Sequence, residues 1–168
     1  MPYTEYADLS SSMIAPPRFA CDVMLGRTAK WLRMLGFDAF YDNKAADADL
    51  KKLCLEGNRV LLTKDVALHE SMPPGTSRLV GAVHTRELLA EIVGAFRLDR
   101  FALPPRCSLC NGELAAIEKE AVRDLVPPYV FRTQSSFQRC GRCHKIYWPG
   151  THLGKIVRVC DMFKKASG

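Results

Sequence analysis

The sequence predicts an α/β protein that carries a small cysteine module near its end. Short apolar runs alternate with helix-like patterns over roughly the first hundred residues. That alternation is typical of a parallel sheet covered by helices. Two Cys-x-x-Cys pairs follow in the last third of the chain. We therefore expect a parallel-sheet domain with helices on both faces, followed by a cysteine module and a C-terminal helix.

The first predicted strand and helix occupy the stretch FACDVMLGRTAKWLRMLG. Phe19–Cys21 forms the apolar run, and the acid Asp22 follows where a buried strand would end. A helical pattern then extends over residues 26–35 and stops at Gly36, because glycine is typical of the position that ends a helix. At 100° per residue, one arc of this helix is apolar and the opposite side is basic. The arc facing the sheet is predicted to hold Thr28, Trp31, Leu32 and Leu35, and the outward side Arg27, Lys30 and Arg33.

The remaining elements of the α/β part follow in order. The clearest strand is Val60–Thr63, a continuous apolar run of the kind buried in parallel sheets. The other strands are predicted at 37–41 and 79–83, and the helices at 47–57, around Ala67 and at 87–96. Pro104 and Pro105 indicate a boundary. We expect an α/β domain at 18–103 and a cysteine module at 104–168, in which 153–163 forms an amphipathic helix.

Composition restricts the class of protein. Hydrophobic and charged fractions of 48% and 25% are those of a globular chain. No window approaches eighteen uninterrupted apolar residues, so we expect no membrane span and no membrane partner. The first seventeen residues have neither a basic start nor an apolar core, as a secretory signal would. We expect a cytoplasmic protein, with 1–17 as a flexible N-terminal extension.

The seven cysteines indicate metal rather than disulfides. An odd number, four of them in two Cys-x-x-Cys pairs, favours a zinc site in a chain without a signal peptide. Each pair can bind the ion from one tight turn, and four thiolates complete a closed tetrahedron. The predicted structural zinc ligands are Cys107, Cys110, Cys140 and Cys143. Cys21, Cys54 and Cys160 are expected to be packing residues.

The net charge of +6 lies entirely in the last third of the chain. Residues 1–105 hold thirteen basic and thirteen acidic side chains, whereas 106–168 hold eleven and five. A concentrated basic segment suggests a polyanion such as nucleic acid, and a merely solvated surface is the alternative. Near the second cysteine pair, cations alternate with aromatic residues, a pattern suited to phosphate contact and base stacking. The cations predicted to contact nucleic acid are Arg139, Arg142 and Lys145.

Several aspartates fall at strand ends or helix starts in the α/β part. Because the carboxyl ends of parallel strands share one edge, acids at those ends converge, and carboxylates there can hold Mg²⁺ or Mn²⁺. Each acid has a second interpretation as a helix cap or first-turn residue. The aspartates at such positions are Asp22, Asp42, Asp47, Asp49 and Asp65, of which Asp22 and Asp65 directly follow the two clearest buried strands.

The order of these motifs resembles the Mut-7 C-terminal RNase domain family. The resemblance covers Asp22 with MLGRTAKWLRMLGFDAFYDN, then Asp47, RVLLTKD, both cysteine pairs, VPPYV and YWPGTH. It implies a PIN-like nuclease fold with an appended zinc ribbon. It also implies a metal-dependent ribonuclease, with Asp22 and Asp65 matching the family's acids and Asp47 matching best the acid that opens the second helix. The predicted metal ligands and catalytic residues are therefore Asp22, Asp47 and Asp65, with Asp42 and Asp49 as neighbours that could substitute.

The predicted reaction is hydrolysis of RNA phosphodiesters by a water activated on Mg²⁺ or Mn²⁺. Arg27 and Lys30, one turn into the first helix, are candidates for phosphate contact. One feature departs from the PIN pattern: His84 and Thr85 follow the last predicted strand, where such nucleases often carry a fourth acid. A non-catalytic RNA- or ribosome-binding adaptor therefore remains the alternative.

Overall fold

The computed structural model describes residues 15–150. Four parallel strands form its first sheet: β1 (Phe19–Cys21), β2 (Ala39–Tyr41), β3 (Val60–Thr63) and β4 (Ser77–Leu79). Their order is β2-β1-β3-β4, so β1 and β3 are central. Cys21, the last residue of β1, pairs with Tyr41 and Leu62. The residues that follow these strands consequently meet at one edge, called here the carboxyl edge.

Helices cover both faces of this sheet, which confirms the predicted fold class. Phe19 and Cys21 face one core, shared with α1 (Gly26–Met34) and α4 (Thr85–Phe96). Ala20 faces the opposite core, shared with α2 (Asp47–Gly57) and α3 (Val66–Glu70). This alternation is the two-residue period of a strand buried on both sides.

Helix α1 ends as the sequence predicts. Gly36 has φ +96°, which an L side chain rarely adopts. Its N–H donates to the Arg33 carbonyl at 2.9 Å, and the Phe37 N–H donates to the Leu32 carbonyl at 2.9 Å. These two bonds are those of a Schellman motif.

The prediction that Arg33 faces outward is wrong. Arg33 is only 4% exposed, whereas Arg27 and Lys30 are exposed as predicted. Its Nε donates to the Ala39 carbonyl at 2.8 Å. Its Nη1 donates to the carbonyls of Ser108 and Leu109 at 3.0 and 3.1 Å. Ser108 and Leu109 lie in the cysteine module, so two of the three carbonyls that accept from Arg33 are remote in sequence, and the helical period gives no sign of them.

The strand predicted at 79–83 is also displaced. The observed β4 is Ser77–Leu79, with Ser77 paired to Leu61. The chain then leaves the sheet, because the backbone N–H groups of Gly81 and Ala82 donate to the Glu91 carboxylate at 3.2 and 3.4 Å instead of to β3.

The second sheet is small and antiparallel. It consists of β5 (Leu114–Ile117), β6 (Phe137–Cys140) and β7 (Ile146–Tyr147) in that order. Helix α5 (Pro128–Thr133) lies between β5 and β6 in sequence. Phe137 is buried with Val122 and Val126, and Phe131 and Trp148 pack against them. Several aromatic rings near the second cysteine pair therefore form the core of this module, called here the ribbon (residues 106–150).

Two predictions fall outside the described residues: nearly all of the extension at 1–17, and the terminal helix at 153–163 with Cys160. Cys21 and Cys54 are buried core residues, as expected.

Candidate functional site

The four predicted zinc cysteines lie together. Their Sγ atoms are all within 4.8 Å of one another, with Cys107 and Cys143 3.5 Å apart and Cys110 and Cys140 3.4 Å apart. A tetrahedral ion with Zn–S bonds of about 2.3 Å requires sulfur separations of about 3.8 Å. The quartet therefore fits a structural zinc ion, with four protein ligands and no position left for a reacting water.

Each cysteine pair folds as a tight knuckle around its first sulfur. The backbone N–H of Cys110 donates to Cys107 Sγ at 3.5 Å. The N–H groups of Arg142 and Cys143 donate to Cys140 Sγ at 3.4 and 3.5 Å. Burial raises the pKa of the Cys107 thiol, but hydrogen bonds from the Tyr147 hydroxyl and backbone N–H groups outweigh it and lower the pKa to about 6. These donors favour the thiolate that zinc binds.

Gly112 is required by close packing at the quartet. A Cβ placed there would lie 2.8 Å from Cys140 Sγ and 3.3 Å from Cys110 Sγ. Gly141, beside the second pair, would place its Cβ in open space. The metal site therefore explains why position 112 is a glycine, but not why position 141 is one.

The second candidate site is at the carboxyl edge, where Asp22 is buried directly after β1. Asp22 is 4% exposed. Its Oδ1 accepts the Met24 N–H at 2.8 Å, while its Oδ2 accepts the Lys64 N–H at 3.1 Å and the Thr63 hydroxyl. Asp22 thus caps the short 3₁₀ helix Val23–Leu25 and also binds the end of the neighbouring strand β3.

Asp65 is connected to Asp22 through Thr63. The Asp65 N–H donates to Thr63 Oγ1 at 2.9 Å, and that hydroxyl donates to Asp22. Asp65 Oδ1 accepts the Leu68 N–H at 2.9 Å, which makes Asp65 the N-cap of α3. The cap interpretation is therefore confirmed for both acids, and it uses one oxygen of Asp65.

The other acids lie in the same region but are separate. Asp47 and Asp49 are exposed in the first turn of α2. Asp42 is exposed after β2, and its Oδ1 accepts the Lys44 N–H at 2.9 Å. Among residues 15–150, the cysteine quartet alone brings three or more potential ligand side chains within 4.8 Å. The joint metal site of Asp22, Asp47 and Asp65 stays a prediction.

The predicted RNA-contacting cations are distributed over α1 and the ribbon. Arg139, Arg142 and Lys145 are exposed. Arg142 Nη1 donates to the Cys110 carbonyl at 3.3 Å, and Lys145 Nζ lies 5.4 Å from the centre of the Tyr147 ring. Their RNA contact is likewise a prediction.

Sequence reasoning missed the junction between the α/β part and the ribbon. Asn111 donates through Nδ2 to Asp38 Oδ1 at 2.6 Å and accepts the Ala39 N–H at 3.2 Å. Asp38 also accepts from Arg59 at 2.7 Å and from Arg18 at 3.1 Å. Burial alone would raise the pKa of Asp38, but the hydrogen bonds from Arg59 and Asn111 outweigh it and lower the pKa to about 2. Asn111 adopts φ +67°, which asparagine tolerates better than most residues, so an asparagine directly after Cys110 is the sequence feature that indicates this turn.

Buried Arg33 is the other member of this junction. Burial lowers the pKa of its guanidinium, and nearby cysteines, including Cys107 and Cys110, act in the opposite direction when ionised. Through Arg33 and Asn111, the first knuckle is hydrogen-bonded to the end of α1 and the start of β2.

The fold and the quartet define a protein with a parallel α/β sheet and an attached four-cysteine ribbon. Residues 17–160 match the family model of the Mut7-C RNAse domain. The match covers most of the chain, which therefore belongs to this family. No curated protein and no solved structure matches the sequence. No helix within the described residues is long and apolar enough to cross a membrane.

Proposed function

We propose that this protein is a divalent-metal-dependent ribonuclease whose ribbon assists RNA binding. Membership in an RNase domain family is the observation that carries the proposal. In this proposal, residues 18–103 form the nuclease domain, 104–168 bind RNA, and the protein acts in the cytoplasm. The basic excess of the last third supports the RNA contact, since phosphates dominate nucleic-acid affinity.

The donor set at Asp22 and Asp65 fits Mg²⁺ or Mn²⁺. A carboxylate oxygen offers two lone pairs. Asp22 Oδ1 accepts one hydrogen bond, and Asp65 Oδ2 accepts none within the described part of the chain. Both residues thus keep acceptor capacity for an ion that binds one or two carboxylates and retains several waters. Asp47, from the opening of α2, would be the third ligand.

When bound, such an ion would activate water for attack on the phosphorus and neutralise charge on the phosphodiester. The chain's own contribution is to fix the acids. Asp22 is held by three donors, so its carboxylate is oriented before substrate arrives. Arg27 and Lys30, exposed on the helix after Asp22, supply positive charge for the adjacent phosphates.

The test is cleavage of a generic single-stranded RNA with Mn²⁺ or Mg²⁺. We expect Asp22→Asn and Asp65→Asn each to reduce the rate by at least about a hundredfold, as losses of electrostatic stabilisation do. Asp99→Asn, an exposed acid beyond α4, should leave the rate unchanged. Zinc content and circular dichroism must match wild type. Cleavage that survives both substitutions would refute the proposal.

A second candidate, a non-catalytic RNA- or ribosome-binding adaptor, is favoured by one observation. The acids at the carboxyl edge do not gather three ligand atoms within 4.8 Å among residues 15–150. RNA binding without any Mn²⁺-dependent cleavage would support this alternative.

A further inference from the structure

A cleft separates the carboxyl edge from the ribbon. Its volume is about 570 Å³, within the range of sites that bind small molecules. One wall is the end of β2, with Tyr41, Asp42 and Asn43, and the other belongs to the two knuckles, with Leu109 and Arg142. Cys110 and Cys143 of the quartet also line this space, whereas Asp22 and Asp65 do not.

Arg33 lines the cleft and keeps a free pair of donors there. Its Nε and Nη1 donate to backbone carbonyls, but Nη2 has no hydrogen-bond partner in the part of the chain that the structure describes. The side chain is 4% exposed. No buried side-chain nitrogen or oxygen among the described residues lacks a partner, so Nη2 is reached by solvent and can exchange water for an acceptor that enters the cleft.

Arg142 brings a second guanidinium to the same cleft. Its Nη1 is bonded to the Cys110 carbonyl at 3.3 Å, which fixes the side chain against the first knuckle. Two guanidinium groups bordering one space fit a phosphate, whose oxygens accept paired N–H donors. The Asp42 carboxylate lies on the β2 wall and would repel that phosphate, so the phosphate belongs on the arginine side.

The β2 wall suits the rest of a nucleotide. Asp42 Oδ2 and the Asn43 amide can pair with a base edge or a ribose hydroxyl, while Leu109, 59% exposed, offers an apolar surface. Tyr41 extends this wall toward the acids. Its hydroxyl donates to the carbonyl of Val23, the residue after Asp22, at 3.0 Å.

We propose that this cleft is a nucleotide subsite for single-stranded RNA, with a phosphodiester bound between Arg33 and Arg142. The inference rests on the proposed function, because it places one nucleotide of the substrate in the cleft, with Tyr41 between that nucleotide and Asp22. The ribbon then forms one wall of the substrate path, and the hydrogen bonds of Arg33 and Asn111 hold that wall in place.

Binding is tested with a short fluorescein-labelled oligouridylate by anisotropy, in an Asp22→Asn background so that no cleavage intervenes. Arg142→Gln should weaken binding about tenfold, the loss of one charge-assisted contact worth about 1.4 kcal/mol. The matched control is Arg132→Gln, which removes an exposed cation of the ribbon outside the cleft and should change binding less than twofold. Equal effects of the two substitutions would overturn the subsite.

Photocrosslinking provides a readout that does not depend on arginine charge. An oligonucleotide containing 4-thiouridine should crosslink to peptides holding Tyr41–Asn43 or Leu109, and the yield should fall with Arg142→Gln. Crosslinks confined to other peptides would overturn the proposal. If the wild type formed these crosslinks but did not cleave RNA, the ribonuclease proposal would fail and the subsite would still be supported.

Discussion

The cysteine quartet and the acidic edge are both candidate metal sites, yet they are built in different ways. The quartet is complete: four sulfurs lie within 4.8 Å, supplied by two local turns that meet through the pairing of β5 and β6. The acids come from the ends of separate elements, and hydrogen bonds to backbone already engage Asp22 and Asp65.

The quartet is a closed, structural site, whereas the acidic edge is an open site that we call adaptable. Four thiolates around one point define a closed site that contributes directly to folding. At the acidic edge, backbone hydrogen bonds hold Asp22 and Asp65, and Asp65 Oδ2 accepts no hydrogen bond within the described residues. Stability should therefore depend strongly on the quartet and only modestly on the edge.

The largest expected effect is the loss of a zinc ligand. In Cys140→Ser, we expect most of the bound zinc to be lost, together with most of the structure of the ribbon. Zinc binding contributes on the order of 10–16 kcal/mol in small zinc peptides, more than the stability of most domains. Metal analysis of protein purified without chelator should show about one zinc per wild-type chain and far less in the variant.

Cys54→Ala is the control for the loss of a buried cysteine. Cys54 packs between α2 and the sheet, so the substitution should destabilise the core but retain the zinc. If wild-type protein bound no zinc, or if Cys140→Ser retained it, the assignment of the quartet as a zinc site would be wrong.

The contrast also explains what the sequence could and could not predict. The two cysteines of a Cys-x-x-Cys pair lie in one tight turn, so their spacing alone is sufficient to predict that both are metal ligands. The strand Val60–Thr63 and the helix end at Gly36 are likewise set by neighbouring residues, and the structure agrees with them.

Arg33 shows where local reasoning fails. The helical period places it with Arg27 and Lys30, but two of the three carbonyls that accept from it lie 75 and 76 residues away. Thr63 is a similar case, because its link between Asp22 and Asp65 depends on the neighbouring positions of β1 and β3. No single-sequence pattern contains either contact.

Removing the hydrogen bonds that join the ribbon to the α/β part should have an intermediate effect on the free energy of unfolding. Arg33→Met keeps the bulk of the side chain but removes the donors to the carbonyls of Ala39, Ser108 and Leu109. Because the bond to the Ala39 carbonyl is buried and the bonds to Ser108 and Leu109 are partly buried, we expect a loss on the order of 3 kcal/mol in the free energy of unfolding. Urea denaturation of the zinc-loaded protein measures it.

Lys30→Met is the matched control on the same helix. Lys30 is exposed, so this substitution should change the free energy of unfolding by less than about 0.5 kcal/mol. A similar cost for both variants would mean that the buried guanidinium does not hold the ribbon against the α/β part.

The smallest expected effect is at the acidic edge. Thr63→Val preserves shape but removes the hydroxyl that donates to Asp22 and accepts the Asp65 N–H. Two backbone donors still hold Asp22, so we expect a loss of about 1–2 kcal/mol in the free energy of unfolding. The control is Thr133→Val, where an exposed hydroxyl at the end of α5 donates to the Tyr129 carbonyl.

Zinc content should be unchanged in Thr63→Val, because the hydroxyl contacts none of the four cysteines. Equal urea midpoints for the Thr63 and Thr133 variants would show that the hydroxyl does not hold the two acids together. Zinc loss in Thr63→Val would instead mean that the edge and the quartet fold as one unit, and the distinction between a closed site and an adaptable one would fail.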